Sequence, residues 1–210
     1  THAAEAFPAD HIRASTETSL RNLGVERIDL QQLHVWSDAW ADDEGWRREA
    51  ERLKAEGKIR GFGISVNRWE PANVLRAIET GLVDAVQVVY NVFDQATEDA
   101  LFPTCREHGV AVIARVPFDE GSLTGALSPG SSWPAGDWRN TYFTPENLRE
   151  TLARVDALAG DLPAGVAMPD AALRFILANE DVATVIPGMR QARHVEANAA
   201  ASTAGPLSKA

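Results

Sequence analysis

The chain has 210 residues, of which 45% are hydrophobic and 24% are charged, and its formal net charge is −10. No apolar stretch approaches the ~18 residues of a membrane-spanning helix, so the composition predicts a soluble globular protein with one domain over residues 1–210. The acidic charge and the absence of a Lys/Arg cluster argue against nucleic acid or a membrane surface as the main partner, and favour a small molecule.

Cysteine content and the N-terminus bear on the cellular location. The single cysteine, Cys105, cannot form an internal disulfide, which is typical of proteins in a reducing compartment. The first residues, THAAEAFPAD, lack the apolar core of a secretory signal. We therefore expect a cytoplasmic protein in which Cys105 is packed on a helical face.

Helix signals and apolar strands alternate through the first half of the chain. Asp10 is a candidate helix cap and Gly24 a left-handed helix stop. Pro103 is expected to kink its helix or to delay its start. The predicted elements are helices over 10–23, 46–56, about 71–81 and 97–108, alternating with strands over 28–33, 58–66, 84–90 and 110–116.

The alternation stops between residues 118 and 144, where six glycines and prolines make a long regular element improbable. We expect a long loop there. Its aromatic side chains either fold over a ligand as a lid or anchor the loop to the fold, and they are Trp133, Trp138, Tyr142 and Phe143. After the loop, helices are predicted from residues 144–145 and from Pro169, then a strand over 183–187 and a helix over 192–201.

The five apolar runs that form the predicted strands mostly end beside a polar residue or a glycine. These residues are His34 after the first run, Ser65 and Asn67 after the second, Gln87 and Asn91 in the third, Arg115 in the fourth and Gly188 after the fifth. Such a repeat is compatible with an open doubly wound sheet or with part of a (β/α)8 barrel. No G-x-G-x-x-G turn follows the first strand, which favours the barrel, where polar strand ends converge on one face.

Five segments of the chain resemble the aldo-keto reductase family, and they occur in the family's order. They are SLRNLGVERIDLQQLH, GKIRGFGIS, VQVVYNVF, AVIARVPFDEGSLTG and VIPGM with the residues that follow it. Together they extend from Ile12 to Asn198, and IARVP resembles the bacterial branch. The resemblance implies a partial (β/α)8 TIM barrel, N-terminally incomplete, from about the family's third helix through its eighth strand and helix, with the first three strands absent.

The resemblance also implies a reaction. Of the family's Asp, Tyr, Lys and His tetrad, it assigns only the histidine, His34, which would hold the substrate carbonyl for hydride attack while a phenol protonates the alkoxide. Tyr90 and Tyr142 are the only tyrosines, and neither occupies the family's motif. We expect NADPH-dependent reduction of an aldehyde or ketone by the full protein and no activity from these 210 residues alone. The alternatives are a nucleotide-binding sensor or accessory subunit, or an inactive remnant.

Several cofactor roles follow from the same resemblance. Ser65 and Gln87 resemble the residues that hold the nicotinamide carboxamide, with Asn67 beside them. Arg115 replaces the tyrosine that stacks on the nicotinamide in other branches. Because a cation on the oxidised, positive ring is unfavourable, we expect a preference for the reduced cofactor.

The far end of the cofactor is assigned to the C-terminal half of the chain. The segment that includes Phe118 and Gly121 resembles the one that wraps the pyrophosphate. Arg190 and a glycine two residues before it are expected to lie at the N-terminus of a helix. There the arginine would pair with a 2′-phosphate, which favours NADPH over NADH. The glycine is Gly188, and the resemblance assigns His194 and Asn198 to positions beside the adenine.

Metal chemistry has no support in the sequence, since the five histidines lie on separate predicted elements without ligand spacing. Four tryptophans are candidate walls of a substrate pocket, which would suit an apolar or flat carbonyl compound. They are Trp36, Trp40, Trp133 and Trp138.

Overall fold

A computed structural model describes residues 3–207, and the chain divides into two compact units. The first contains the residues up to Tyr90 together with Asp94–Arg115 and Asp181–Thr184. The second contains Asn91–Phe93, Val116–Glu180 and the residues from Val185 onward. The assignment of residues 1–210 to one domain stays a prediction.

A five-stranded sheet runs through the first unit, and its spatial order is the order of the strands in the chain. The three pairings that join the first four strands are parallel. The predicted α/β class with a parallel sheet is therefore confirmed, and the strand order does not reverse as it does in an open doubly wound sheet. The strands are β1 (Ile28–His34), β2 (Ile59–Ser65), β3 (Ala85–Val89), β4 (Ala111–Arg115) and β5 (Val182–Val185).

Within the described residues, five α-helices belong to the first unit, and some of their starts differ from prediction. They are α1 (Ala3–Ala6), α2 (Ala9–Leu23), α3 (Glu44–Ala55), α4 (Leu75–Glu79) and α5 (Leu101–His108). Pro8 precedes α2 and no side chain caps it, so Asp10 lies in the first turn and its predicted capping role is wrong. Gly24 ends α2 at φ 67°, as predicted. Pro103 lies in the first turn of α5, where helical N–H groups have no intrahelical partner, and the start is delayed as expected.

The sheet presents one face to the core of this unit. The most deeply buried residues of that face are apolar and at most 1% exposed, namely Phe62, Ile64, Val86, Val88, Val112 and Ala114. Helices α3 and α5 pack on strands of this sheet. Cys105 of α5 is 1% exposed, and burial raises the pKa of its thiol to about 12. The prediction that Cys105 is packed on a helix is confirmed.

The opposite face of the sheet carries small and polar residues together with the larger apolar Leu30, Val89 and Ile113. Register pairs in a parallel sheet project to the same side, and every second residue of a strand shares that side. The members of this face include Gln32, His34, Gly61, Gly63, Ser65, Ala85, Gln87 and Arg115. The four site residues predicted on these strands, His34, Ser65, Gln87 and Arg115, therefore lie on one side of the sheet.

The second unit contains four α-helices and a 3-10 segment, Asp119–Thr124. The helices are α6 (Arg139–Tyr142), α7 (Pro145–Gly160), α8 (Met168–Leu177) and α9 (Ala192–Ala201). Thr144 caps α7 by accepting a hydrogen bond from the Asn147 backbone N–H at 3.3 Å. The 118–144 segment contains only two short helical pieces, in keeping with the predicted lack of a long element.

Aromatic side chains in the 118–144 segment contact one another. The ring of Phe143 is stacked on that of Trp133 with centroids 5.4 Å apart, and Phe143 is 4% exposed. Tyr142 makes edge contacts with Phe143 and Trp138, and Trp138 is 55% exposed. Stacking thus packs one end of the segment, while the lid stays a prediction. Within residues 3–207, no helix is long and apolar enough to cross a membrane.

Candidate active site

Three of the predicted site residues lie in one row across the parallel sheet. His34 is the register partner of Ser65, and Ser65 is the register partner of Gln87. Adjacent strands are about 4.8 Å apart, so the outer two Cα atoms of this row are separated by roughly 10 Å. The row lies toward the C-terminal ends of β1, β2 and β3, where active sites of parallel α/β proteins form.

The three residues of this row differ in exposure. His34 is exposed, Gln87 is half-buried and Ser65 is 3% exposed. Among residues 3–207, the Ser65 hydroxyl has no hydrogen-bond partner. A buried polar group without a partner costs about 1–3 kcal/mol, and a ligand that supplies the missing bond removes that cost. The orphan hydroxyl therefore fits a bound amide such as the nicotinamide carboxamide.

Gln32 also lies on this face and was not predicted as a site residue from the sequence. Its side-chain Oε1 lies 3.3 Å from Nε2 of Gln87, which donates a hydrogen bond to it. The available signal was the strand period of two, because Gln32 precedes His34 by two residues and shares its face. The neighbouring Gln31 faces the other way, toward Thr16 of α2.

Arg115 lies on the same face of the sheet, one step beyond the row. Gln87 pairs with Ile113, and Val89 pairs with Arg115, so Arg115 extends past the row by two residues. Its Nη2 donates a hydrogen bond to the backbone carbonyl of Val66 at 3.1 Å. This bond ties the guanidinium to the end of β2, next to the buried Ser65.

Asn67 belongs to the loop after β2 rather than to the row. Its Oδ1 accepts a hydrogen bond from the backbone N–H of Trp69 at 3.1 Å, which forms a local turn. Asn67 is half-buried, and Trp69 is 77% exposed. The amide oxygen of Asn67 is thus used in shaping its own loop.

The segment after His34 is held by side chains from the segment after β2. Asn73 Oδ1 accepts from the backbone N–H of Asp38 at 2.5 Å, and its Nδ2 donates to the carbonyl of Trp36 at 3.3 Å. Arg76 Nη1 donates to the Asp38 carbonyl at 3.3 Å. Burial raises the pKa of the Asp38 carboxyl, and Arg76 opposes that rise. These contacts fix the backbone directly after His34.

Trp36 belongs to the core and does not form an open pocket wall as predicted. It is 2% exposed, and its ring makes edge contacts with Trp40 and Trp46 at 5.7 and 5.1 Å and lies parallel to Phe7 at 6.5 Å. The physical reason is that α3 supplies Trp46 beside it, so aromatic packing buries the ring.

The predicted pyrophosphate segment, in the second unit, is a tight turn. The backbone N–H of Gly121 donates to the Phe118 carbonyl at 2.9 Å, and Gly121 has φ 106°. Asp119 and Glu120 also have positive φ, at 41° and 55°. Asp119 is 4% exposed and accepts a hydrogen bond from Ser122 Oγ at 2.9 Å. Positive φ in non-glycine residues costs energy and is concentrated at functional segments.

The last four predicted residues also lie in the second unit. Asn198 Nδ2 donates to the Gly188 carbonyl at 3.5 Å, so these two are in contact. His194 lies half-buried in the first turn of α9, and Arg190 is exposed. Helix α9 begins at Ala192 after an extended Gln191, as predicted for this helix. Gly188 and Arg190 lie between β5 and the helix, and their role in binding an anion there stays a prediction.

Neither tyrosine belongs to the row of His34. Tyr90 is 1% exposed, and its hydroxyl donates to Glu98 Oε1 at 2.5 Å. The Tyr142 hydroxyl lies 3.4 Å from Asp119 Oδ1. Among residues 3–207, no group of three or more His, Cys, Asp or Glu side chains could hold a metal ion. The arrangement provides hydrogen-bonding groups for a carbonyl and an amide.

The comparison with known families identifies the source of this arrangement. The model of the aldo/keto reductase family matches residues 2–210. The chain belongs to the aldo/keto reductase family. The resemblance seen in the five sequence segments is confirmed by this match.

Relatives in this family come from bacteria and eukaryotes. The NADH-specific methylglyoxal reductase of Escherichia coli is 28% identical over 91% of this chain and 59% of its own length. An NADP(+) aldo-keto reductase of Schizosaccharomyces pombe is 29% identical over 90% and 56%. The human aflatoxin B1 aldehyde reductase member 2 is 30% identical over 98% and 63%. The chain thus spans less than two thirds of the length of each.

Solved structures of the family superpose well on the chain. The holo form of an aldo-keto reductase from Bacillus halodurans has a TM-score of 0.77 and 28% identity, covering 95% of this chain and 64% of the other. A glycerol dehydrogenase from Gluconobacter oxydans also has a TM-score of 0.77 and 28% identity, covering 95% and 61%.

Proposed function

We propose that this chain forms the carbonyl-binding part and much of the cofactor-binding part of an NADPH-dependent reductase. The reductase would convert an aldehyde or ketone to an alcohol. The row of His34, Ser65 and Gln87 is the observation that carries this proposal. The fold we propose is a partial (β/α)8 barrel, which the unreversed strand order supports.

The nicotinamide carboxamide would be held by Ser65 and Gln87. The orphan Ser65 hydroxyl can donate to the carboxamide oxygen, and the Gln87 amide can accept from its NH2 group. Arg115, two residues beyond the row, would lie over the ring. When bound, the nicotinamide supplies the hydride, and this fixed pair of hydrogen bonds exposes a single ring face to the substrate.

His34 would orient the substrate. Its imidazole is exposed at the end of β1, within reach of a ligand, and an N–H of the ring can donate to a carbonyl oxygen. Neither tyrosine lies in its row, so no phenol of this chain is assigned to protonate the alkoxide. We expect the 210 residues to bind cofactor and to show no measurable turnover.

The phosphate and adenosine ends are assigned to the second unit. The turn that includes Phe118 and Gly121 would lie against the pyrophosphate, where Gly121, at φ 106° and without a side chain, lets the backbone come close to the phosphates. The exposed Arg190 would pair with the 2′-phosphate, with His194 and Asn198 beside the adenine. Because the names of the relatives divide between NADH and NADP(+), Arg190 is the basis for proposing NADPH.

A second candidate is a cofactor-binding sensor or accessory subunit. The observation that favours it is that neither tyrosine of this chain lies in the row of His34. Under this alternative, cofactor binding persists whatever else the full protein contains, but carbonyl reduction does not.

Cofactor binding tests the proposal directly. NADPH and NADH are titrated into the 210-residue chain by calorimetry, alongside the variants Ser65→Ala and Arg190→Ala. We expect NADPH to bind more tightly than NADH, Arg190→Ala to remove that difference, and Ser65→Ala to weaken both about threefold to tenfold, the scale of one hydrogen bond. The matched control is Ser19→Ala on α2, which should change neither. Failure of the unmodified chain to bind either nucleotide would refute the proposal.

A further inference from the structure

The amide groups of Gln32 and Gln87 form a pair on the polar face of the sheet. Gln87 Nε2 donates to Gln32 Oε1 at 3.3 Å, and both side chains are half-buried. Gln32 comes from β1 and Gln87 from β3, so the bond spans the intervening strand β2. A side chain that reaches across a whole strand needs room on that strand.

Gly63 of β2 provides that room. Gln32 and Ala85 are its register partners, so Gly63 lies between the two strands that the amide pair connects. A Cβ atom at Gly63 would lie 3.2 Å from Gln32 Cγ and 2.9 Å from the Ala85 backbone oxygen. The missing side chain therefore lets Gln32 lie flat over β2 and reach Gln87.

The direction of this hydrogen bond determines what Gln87 offers to a ligand. A glutamine amide has one acceptor oxygen and one NH2 donor group. With its NH2 directed at Gln32, Gln87 keeps its oxygen for another partner. Ser65, the register partner of Gln87, has a hydroxyl that can donate and that has no partner in the described part of the chain. The two residues thus present one donor and one acceptor, which matches a primary carboxamide.

We propose that Gln32 is a positioning residue that holds the Gln87 amide with its oxygen directed at the cofactor carboxamide. This inference rests on the proposed function, since it takes Gln87 as a nicotinamide contact. Gln32 itself would touch no reacting atom. The flipped amide of Gln87, which would set an NH2 group against the NH2 of the carboxamide, would lose its hydrogen bond to Gln32 Oε1.

The test uses a nucleotide that lacks the NH2 group of the carboxamide. In the 3-acetylpyridine analogue of NADP(+), a methyl replaces the carboxamide NH2, so nothing is left to donate to Gln87. Dissociation constants for NADP(+) and this analogue are measured by calorimetry on the 210-residue chain and on two variants. Gln32→Met keeps the length and loses the acceptor, whereas Gln32→Glu keeps an acceptor for Gln87. The matched control is Gln31→Met, next in sequence but on the opposite face.

We expect Gln32→Met to weaken NADP(+) binding about threefold to tenfold and to leave the analogue within about twofold of the unmodified chain. Gln32→Glu should bind NADP(+) more tightly than Gln32→Met, and Gln31→Met should bind both nucleotides as the unmodified chain does.

The alternative results separate the two proposals. If the unmodified chain binds NADP(+) but Gln32→Met weakens both nucleotides equally, or weakens neither, the positioning role is wrong while the proposed function stands. If the unmodified chain binds neither nucleotide, the proposed function and this inference are both overturned. Thermal melting of each variant, followed by circular dichroism, establishes that the compared chains are folded.

Discussion

Replacing Ser65 by alanine should make the nucleotide-free chain more stable. The Ser65 hydroxyl is buried, and among residues 3–207 it has no hydrogen-bond partner. Leaving such a group unpaired costs about 1–3 kcal/mol, and the substitution removes the oxygen that bears the cost while losing only a few van der Waals contacts. We expect a gain of about 1 kcal/mol in the free energy of unfolding, which for a chain of this size raises Tm by about 2–4 °C.

The assay is urea unfolding of the nucleotide-free chain followed by circular dichroism, with Ser122→Ala as the matched control. Ser122 is also buried, at 1% exposed, but its hydroxyl donates to Asp119 at 2.9 Å. Its removal should therefore destabilise the chain by about 1–2 kcal/mol, because it leaves a buried carboxylate oxygen without that donor. If Ser65→Ala loses as much stability as Ser122→Ala, the Ser65 hydroxyl already has a hydrogen-bond partner. It is then not available to donate to a carboxamide of the cofactor.

Three further substitutions test other contacts. Asn73→Ala should increase hydrogen exchange at the Asp38 amide about fivefold, which corresponds to about 1 kcal/mol for the lost hydrogen bond. The Asp38 amide should exchange more slowly in Asn73→Asp, which retains the acceptor, than in Asn73→Ala. Equal rates in the two variants would show that Asn73 does not hold the segment after His34. Arg13 and Lys58 lower the pKa of the Glu56 carboxyl to about 2 from 4.5, so its contribution to stability is present above pH 4.5 and is lost as the pH falls toward 2. Glu56→Gln should therefore show a shallower loss of stability in acid than the unmodified chain, and parallel curves from urea unfolding at pH 2 to 6 would contradict this. Arg115→Ala should lower the ratio of the NADP(+) dissociation constant to the NADPH dissociation constant. The control is Arg60→Ala, which removes an exposed arginine paired with Asp29 and should leave this ratio unchanged. An unchanged ratio in Arg115→Ala would mean that the guanidinium does not discriminate between the charged and the neutral ring.

Local pattern was sufficient to predict the strands and much of the face that carries the chemistry. The run IDLQQLH predicts a strand, and a period of two already puts Gln32 and His34 on one side of it. Gly24 as a helix stop is a similar case, since the left-handed conformation depends on a residue without a Cβ. The family resemblance was carried by short ordered segments, which is also a property of local sequence.

Only the tertiary structure decided which of these residues meet. The register of β1, β2 and β3 places His34, Ser65 and Gln87 in one row and Arg115 one step beyond it. Register depends on pairing between segments about 20 to 30 residues apart, and a shift of one residue would move a side chain to the other face.

Burial was likewise outside the reach of local pattern. Trp36 resembles a pocket wall in the sequence, but its neighbours Trp40 and Trp46 bury it. The proposed role of the Ser65 hydroxyl depends on its having no hydrogen-bond partner among the described residues. The proposed role of the Gln32 amide depends on its hydrogen bond to Gln87, two strands away. The sequence by itself thus determined the family, the strands and the candidate histidine, because these follow from residue type and spacing. Packing and register, which depend on contacts distant in sequence, decided the donor and acceptor arrangement around them.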